Sequence, residues 1–226
     1  MRRATACALL LALALAGCGS NDAKDEQAAA HAHAQAVRHA RRMELGRRVF
    51  AEHCQSCHTL AGRRFTEPIN EWEAPNFDEV APKRSYVRAR VDAGGPAMAG
   101  FQGELADAEY RAIIEYVTEA AGRNVVDDGD HPADMLADGR AIFAQHCAAC
   151  HAIEGRKMTG EPVYVGMDFN LVKPSERYVI RKMKTGVLPE DPLMPSFRGT
   201  LTDAQMRAVA AYVTAVAKEG PEAPPG

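Results

Sequence analysis

"CQSCHTL" (Cys54–Leu60) and "CAACHAI" (Cys147–Ile153) decide how this chain is read. Each places two cysteines three apart, with a histidine directly after the second. On a helical turn, residues three and four apart share a face. Cys54, Cys57 and His58 therefore converge on one side, as do Cys147, Cys150 and His151.

The rest of the 226-residue chain is of ordinary globular composition, with 46% apolar and 25% charged residues. Its N-terminus is the exception. "MRRATACALLLALALAGC" opens on Arg2 and Arg3 and continues as an uncharged, mostly apolar run from Ala4 to Ala16. That run is too short to span a bilayer as a helix but suits the apolar core of a signal peptide. It ends in "LAGC", which resembles the lipobox of bacterial lipoproteins. The resemblance implies removal of residues 1–17, lipidation of Cys18 and a periplasmic, membrane-anchored location. Export would discard Cys7, so the four remaining free cysteines all lie in the two motifs. Losing two arginines leaves 25 basic against 30 acidic residues. This mild acidity, without a basic stripe, argues against nucleic-acid binding. Residues 18–42 are polar and alanine-rich without an apolar stripe, and read as a tether that can be partly helical.

The remainder is duplicated. "GRRVFAEHCQSCH" from Gly46 matches "GRAIFAQHCAACH" from Gly139 at an offset of 93. "FDEVAPKRSYVRARVDAG" from Phe77 aligns with "FNLVKPSERYVIRKMKTG" from Phe169 at an offset of 92. "MAGFQGELADAEYRAIIEYVTEA" from Met98 aligns with "MPSFRGTLTDAQMRAVAAYVTAV" from Met194 at an offset of 96. The acidic stretch 124–132, with Gly and Pro, reads as a linker. The expected organisation is a domain over 43–123, a second over 133–219 and a tail over 220–226.

C-x-x-C-H is the attachment signature of a c-type haem, and both copies resemble cytochrome c. A thioredoxin-like C-x-x-C belongs with a βαβ pattern that is not evident here. Zinc would usually draw on a further Cys or His pair, and none follows at the usual spacing. The resemblance implies two covalent haem c groups, held through Cys54 and Cys57 and through Cys147 and Cys150. His58 and His151 would be axial ligands of the two irons. Met98 is the only methionine between His58 and the linker. After His151 the second half offers Met158, Met167, Met183, Met194 and Met206, of which only Met194 aligns with Met98. The expected second axial ligands are therefore Met98 and Met194, each followed three residues later by phenylalanine (Phe101, Phe197).

Small cytochromes c cross an N-terminal helix carrying Gly and an aromatic against a C-terminal helix carrying an aromatic. Gly46 with Phe50, Gly139 with Phe143, Tyr116 and Tyr212 match those roles. Thr202 and Gln205 form a capping-box pattern, for which the first half has only Ala106 and Glu109. Similar cytochromes also use a proline carbonyl to accept the Nδ1–H of the ligand histidine, a role expected here of Pro68 and Pro162. His53 and His146, just before the motifs, read as surface positions near the haem edge.

The resemblance covers nearly all of residues 43–219. It implies an all-α fold of two tandem class-I cytochrome c domains, comparable in plan to the cytochrome c4 family. The implied function is outer-sphere electron transfer, with redox proteins as partners: a quinol-oxidising complex or dehydrogenase on one side, a terminal oxidase or reductase on the other. No small-molecule substrate is then expected. The alternatives are a dihaem redox enzyme, of peroxidase or thiosulfate-dehydrogenase type, or a fixed cytochrome subunit of a larger oxidoreductase. An enzyme needs an open or unusually ligated iron, whereas each half here retains an aligned methionine.

Overall fold

The structure is a computed structural model that describes residues 19–62, 74–95, 98–122, 125, 129–160, 166–187 and 194–217. Residues 1–42 and 43–226 form two compact units. In the first, the described part is helical: α1 begins at Gly19 and ends at His53, and from Ala23 to Arg42 its residues are nearly all exposed. Alanine favours the helix, and the lack of an apolar stripe leaves it nothing to bury. The leader and Cys18 lie outside the described residues. Among those residues, no helix is long and apolar enough to cross a membrane.

The second unit contains both repeats, built from the same parts. A helix leads into each C-x-x-C-H: the end of α1 in repeat 1 and α4 (Ala133–His146) in repeat 2. A short strand follows, β1 (Val80–Pro82) or β2 (Val172–Pro174). Then come α2 (Arg84–Ala93) or α5 (Glu176–Thr185), and a last helix, α3 (Asp107–Ala120) or α6 (Asp203–Ala217). Six helices and two three-residue strands bear out the all-α expectation among the described residues.

The first and last helices of each repeat cross at a glycine. A methyl group on Gly46 would lie 2.3 Å from the Ala112 carbonyl oxygen and 2.5 Å from Tyr116 Cβ. On Gly139 it would lie 2.1 Å from the Ala208 carbonyl oxygen and 2.8 Å from Tyr212 Cβ. Only a residue without Cβ permits this approach. The aromatics fix it from both sides: Phe50 packs on Tyr116 with ring centroids 5.9 Å apart, and Phe143 on Tyr212 at 5.7 Å. Around each crossing lies a separate apolar core, one including Leu60, Val91 and Ile113, the other Met183, Met206 and Val213.

The repeats join through their strands. β1 and β2 pair antiparallel, with Val80 opposite Pro174, Ala81 opposite Lys173 and Pro82 opposite Val172. At the repeat offset of 92, Val80 is the counterpart of Val172 and Pro82 of Pro174. Exchanging the two halves therefore maps the pairing onto itself, about an axis at Ala81 and Lys173. The flanking hydrogen bonds obey the same symmetry: Lys83 N–H to the Leu171 carbonyl at 2.7 Å, and Ser175 N–H to the Glu79 carbonyl at 2.8 Å. This is an isologous interface within one chain. Its apolar centre is Val80, Val172 and Tyr178, with Phe77, Tyr86, Met167 and Leu171 against them.

Helix starts differ between the repeats as the sequence suggests. At α6, Thr202 N–H donates to Gln205 Oε1 at 2.9 Å and Gln205 N–H to Thr202 Oγ1 at 3.2 Å, a complete capping box. At α3 only the Glu109 half exists, accepting from Ala106 N–H at 3.0 Å.

Gly139→Ala should destabilise the protein by about 1–3 kcal/mol through overpacking, lowering its thermal midpoint by about 2–4 °C per kcal/mol. An unchanged midpoint would contradict the close crossing. In denaturant titrations, Thr202→Ala should cost about 1 kcal/mol, whereas Ala106→Ser, at extended backbone already suited to a cap (φ −62°, ψ 151°), should add stability of similar size.

Candidate functional site

Each motif sits where a helix tightens into a turn. Cys57 N–H and His58 N–H both donate to the Cys54 carbonyl, at 3.0 and 2.9 Å. Cys150 and His151 do the same to the Cys147 carbonyl, at 3.0 Å each. By helical geometry such a turn puts both sulfurs and the imidazole on one side. None of the four cysteines is in a disulfide. Burial, and then the neighbouring cysteine, pushes the Cys54 and Cys147 thiols up to about 12. Such neutral thiols are the opposite of the acidic cysteine that a thioredoxin-like centre uses.

The histidines are held in one tautomer. His58 Nδ1–H donates to the Pro75 carbonyl at 3.1 Å, and His151 Nδ1–H to the Met167 carbonyl at 2.9 Å. Burial lowers the basicity of both imidazoles, and the carbonyl bond offsets this only in part. Each ring is therefore neutral near pH 7. With Nδ1 carrying the proton, Nε2 keeps a lone pair available for a metal. Each ring also stacks on a phenylalanine: His58 on Phe77 at 4.8 Å and 20°, His151 on Phe169 at 5.0 Å and 19°. Gly166 adds a backbone wall, since a Cβ there would lie 2.6 Å from His151 Cε1.

Pro68 and Pro162, expected to supply the carbonyls, lie outside the described residues. The role is filled by Pro75 and Met167, which are counterparts at the offset of 92. Only one of the two is proline, because a backbone carbonyl serves whatever side chain accompanies it. Phe77 and Phe169 fix the register that finds them, two residues further along the chain.

The methionine loops are also alike. Gly94 and Gly186, with φ of +73° and +71°, end α2 and α5. Gly95 N–H then donates to the Met98 carbonyl, and Val187 N–H to the Met194 carbonyl, both at 2.8 Å. Phe101 N–H reaches the Val91 carbonyl at 2.7 Å, and Phe197 N–H the Met183 carbonyl at 2.8 Å. The loops lie against the ends of the motif helices: the Phe101 ring is 5.8 Å from that of His53, and Phe197 6.4 Å from His146. Both methionines are half-buried. Three of the other second-half methionines are placed differently. Met183 and Met206 are core residues at 2% and 3% exposure, and Met167 gives its carbonyl to the opposite edge of His151.

Two free cysteines three apart, a neutral imidazole whose Nε2 keeps its lone pair, and a methionine loop against the motif helix fit a covalent c-type haem in each repeat. The comparisons agree. The chain matches the family described as cytochrome c oxidase, cbb3-type, subunit III, over residues 41–117 and again over 134–213. It resembles the cbb3-type cytochrome c oxidase subunit CcoP of Cereibacter sphaeroides, 31% identical over 116 residues, covering 50% of this chain and 37% of that protein. Subunit FixP of a Bradyrhizobium species is 26% identical over 180 residues, covering 74% of this chain and 59% of the relative. Cytochrome c6 of Leptolyngbya boryana is 32% identical over 88 residues, covering 39% of this chain and 99% of that cytochrome. The chain thus spans less than two thirds of either oxidase subunit. With one family match over each C-x-x-C-H motif, the chain belongs to the cbb3-type cytochrome c oxidase subunit III family and is a dihaem cytochrome c.

Proposed function

We propose that this chain relays electrons by outer-sphere transfer through two closed irons, ligated by His58 with Met98 and by His151 with Met194. The observation that carries this reading is the repeated arrangement around each histidine. A half-buried, neutral imidazole has its Nδ1 committed to a carbonyl and its Nε2 lone pair free, and the motif helix meets a methionine loop of the same hydrogen-bond pattern in both halves. When bound, the haem supplies a one-electron couple, and a neutral thioether ligand raises its potential relative to a second imidazole. The residues of the chain do the rest. The carbonyls of Pro75 and Met167 keep each imidazole in one tautomer. Phe77 and Phe169 keep it in one plane, and the apolar cores exclude water.

The domains are 43–123 and 133–219, joined by 124–132. The leader, lipidated Cys18 and tether would hold them on the periplasmic side of a bacterial membrane. Donors would be a quinol-oxidising complex or a dehydrogenase, and acceptors a terminal oxidase or reductase. A second reading is favoured by the names of two relatives, which are oxidase subunits: the chain would then be a fixed electron-transfer subunit of such a complex. Solubilisation of native membranes separates the two, since a subunit co-purifies with oxidase chains in fixed ratio and a shuttle does not.

Met98→Ala and Met194→Ala test the ligand assignment. Each should open one iron to carbon monoxide and lower that haem's potential by at least about tenfold in its one-electron equilibrium, about 59 mV. The other haem should stay closed. If Met194→Ala left both potentials unchanged and neither iron bound carbon monoxide, Met194 would not be the ligand.

A further inference from the structure

His53 and His146 end the helices that lead into the two motifs, and the relay through His58 and His151 makes no use of them. Both rings reach water: His53 has 37% of its side chain exposed, and His146 is half-buried. Each nevertheless meets an aromatic partner in an edge geometry. His53 and Phe101 have ring centroids 5.8 Å apart at 71°, and His146 and Phe197 6.4 Å apart at 79°. His53 Nε2 also lies 3.9 Å from the exposed carboxylate of Glu52, but Gln145 occupies that place in repeat 2. The contact common to both histidines is therefore the aromatic one.

The partner is the same in both halves, the phenylalanine three residues after Met98 or Met194. On its other flank each methionine segment, Met98–Phe101 or Met194–Phe197, is tied down by backbone. Phe101 N–H and Phe197 N–H bond to the Val91 and Met183 carbonyls. A Cβ on Gly186 would lie 2.7 Å from the Met194 carbonyl oxygen and 2.9 Å from the Ser196 nitrogen. These features fasten the segment to α2 or α5, not to the helix that leads to the ligand histidine. His53 is joined to His58 by the bonds of Cys54 N–H to the Phe50 carbonyl and of His58 N–H to the Cys54 carbonyl, and His146 to His151 by the same pair. Contact between His53 and Phe101 thus limits how far Met98 can move from His58, and His146 with Phe197 does the same for Met194 and His151.

We propose that His53 and His146 are positioning residues, each ring clasping the methionine segment to the motif helix through Phe101 or Phe197 and so keeping the methionine sulfur on its iron. An aromatic pair of this kind shifts an equilibrium about two- to tenfold. Loss of the ring raises the fraction of protein whose methionine has left the iron by that factor, while the backbone bonds to α2 and α5 stay in place. The role needs a flat ring and neither charge nor proton. An imidazole suits it at a position half in water, because it offers an apolar ring face and a polar edge. This inference rests on the reading of Met98 and Met194 as the iron ligands.

Imidazole titration of the oxidised, haem-loaded full chain tests it. Added imidazole replaces the methionine, an iron–nitrogen bond forming as the iron–sulfur bond breaks, and the methionine-to-iron charge-transfer absorption is lost. Met194→Ala leaves that absorption to repeat 1 and Met98→Ala leaves it to repeat 2, so each background isolates one histidine. In its background, His53→Ala or His146→Ala should tighten imidazole binding at the remaining methionine-ligated haem about two- to tenfold. His53→Phe and His146→Phe should restore the weaker binding, which a role in charge or proton transfer would not allow. The repeats are read separately, so a variant that fails to load haem leaves the other repeat to decide. An unchanged affinity in a loaded alanine variant overturns the proposal, as does a phenylalanine variant that behaves like the alanine one. If Met98→Ala or Met194→Ala leaves the charge-transfer absorption undiminished, the ligand reading beneath the proposal fails instead.

Discussion

A half-buried imidazole with one nitrogen tied to a backbone carbonyl is the constraint around which each repeat is arranged. His58 and His151 lie inside apolar surroundings that disfavour their charged form, and each gives its only proton to a carbonyl across the loop. That leaves a lone pair on a fixed ring, in a site where a proton competes poorly for it. The phenylalanine behind each ring fixes its plane, and that phenylalanine packs in turn on Phe50 or Phe143, beside the glycine crossing. The helix crossing, the aromatic cluster and the histidine therefore form one connected support. Moving any of them would turn the imidazole.

Duplication explains why the support appears twice and why the copies meet as they do. Equivalent strands can pair antiparallel with each other about a local two-fold axis, so one surface serves for both sides. Symmetric pairing also makes departures informative. The backbone hydrogen bonds of the junction occur in matched pairs, whereas the network in which Glu79 accepts from Arg177 and Arg181 has no counterpart opposite it, where Leu171, Ser85 and Ala89 stand.

Much of this was legible in the sequence, and for physical reasons. Covalent and steric demands are local: C-x-x-C-H converges on any helical turn, and glycine at 46 and 139 is needed wherever two backbones touch. Capping at Thr202 and its incompleteness at Ala106 could be read from single residues. Other features were hidden. The resemblance points to a proline as the carbonyl partner of each histidine, but a carbonyl leaves no trace in side-chain identity, and Met167 serves as well as Pro75. The β1–β2 junction is three residues long on each side, too short for periodicity to reveal. The Glu79 network links residues roughly a hundred positions apart, and no local pattern could place them together.

The most direct test of the central claim is a redox titration of the unmodified, haem-loaded protein, with carbon monoxide added to the reduced form. Two reversible one-electron waves, methionine-to-iron charge-transfer absorption in the oxidised state and no carbon monoxide binding are the predicted result. Ready binding of carbon monoxide at either haem would contradict it and mark that iron as a catalytic centre.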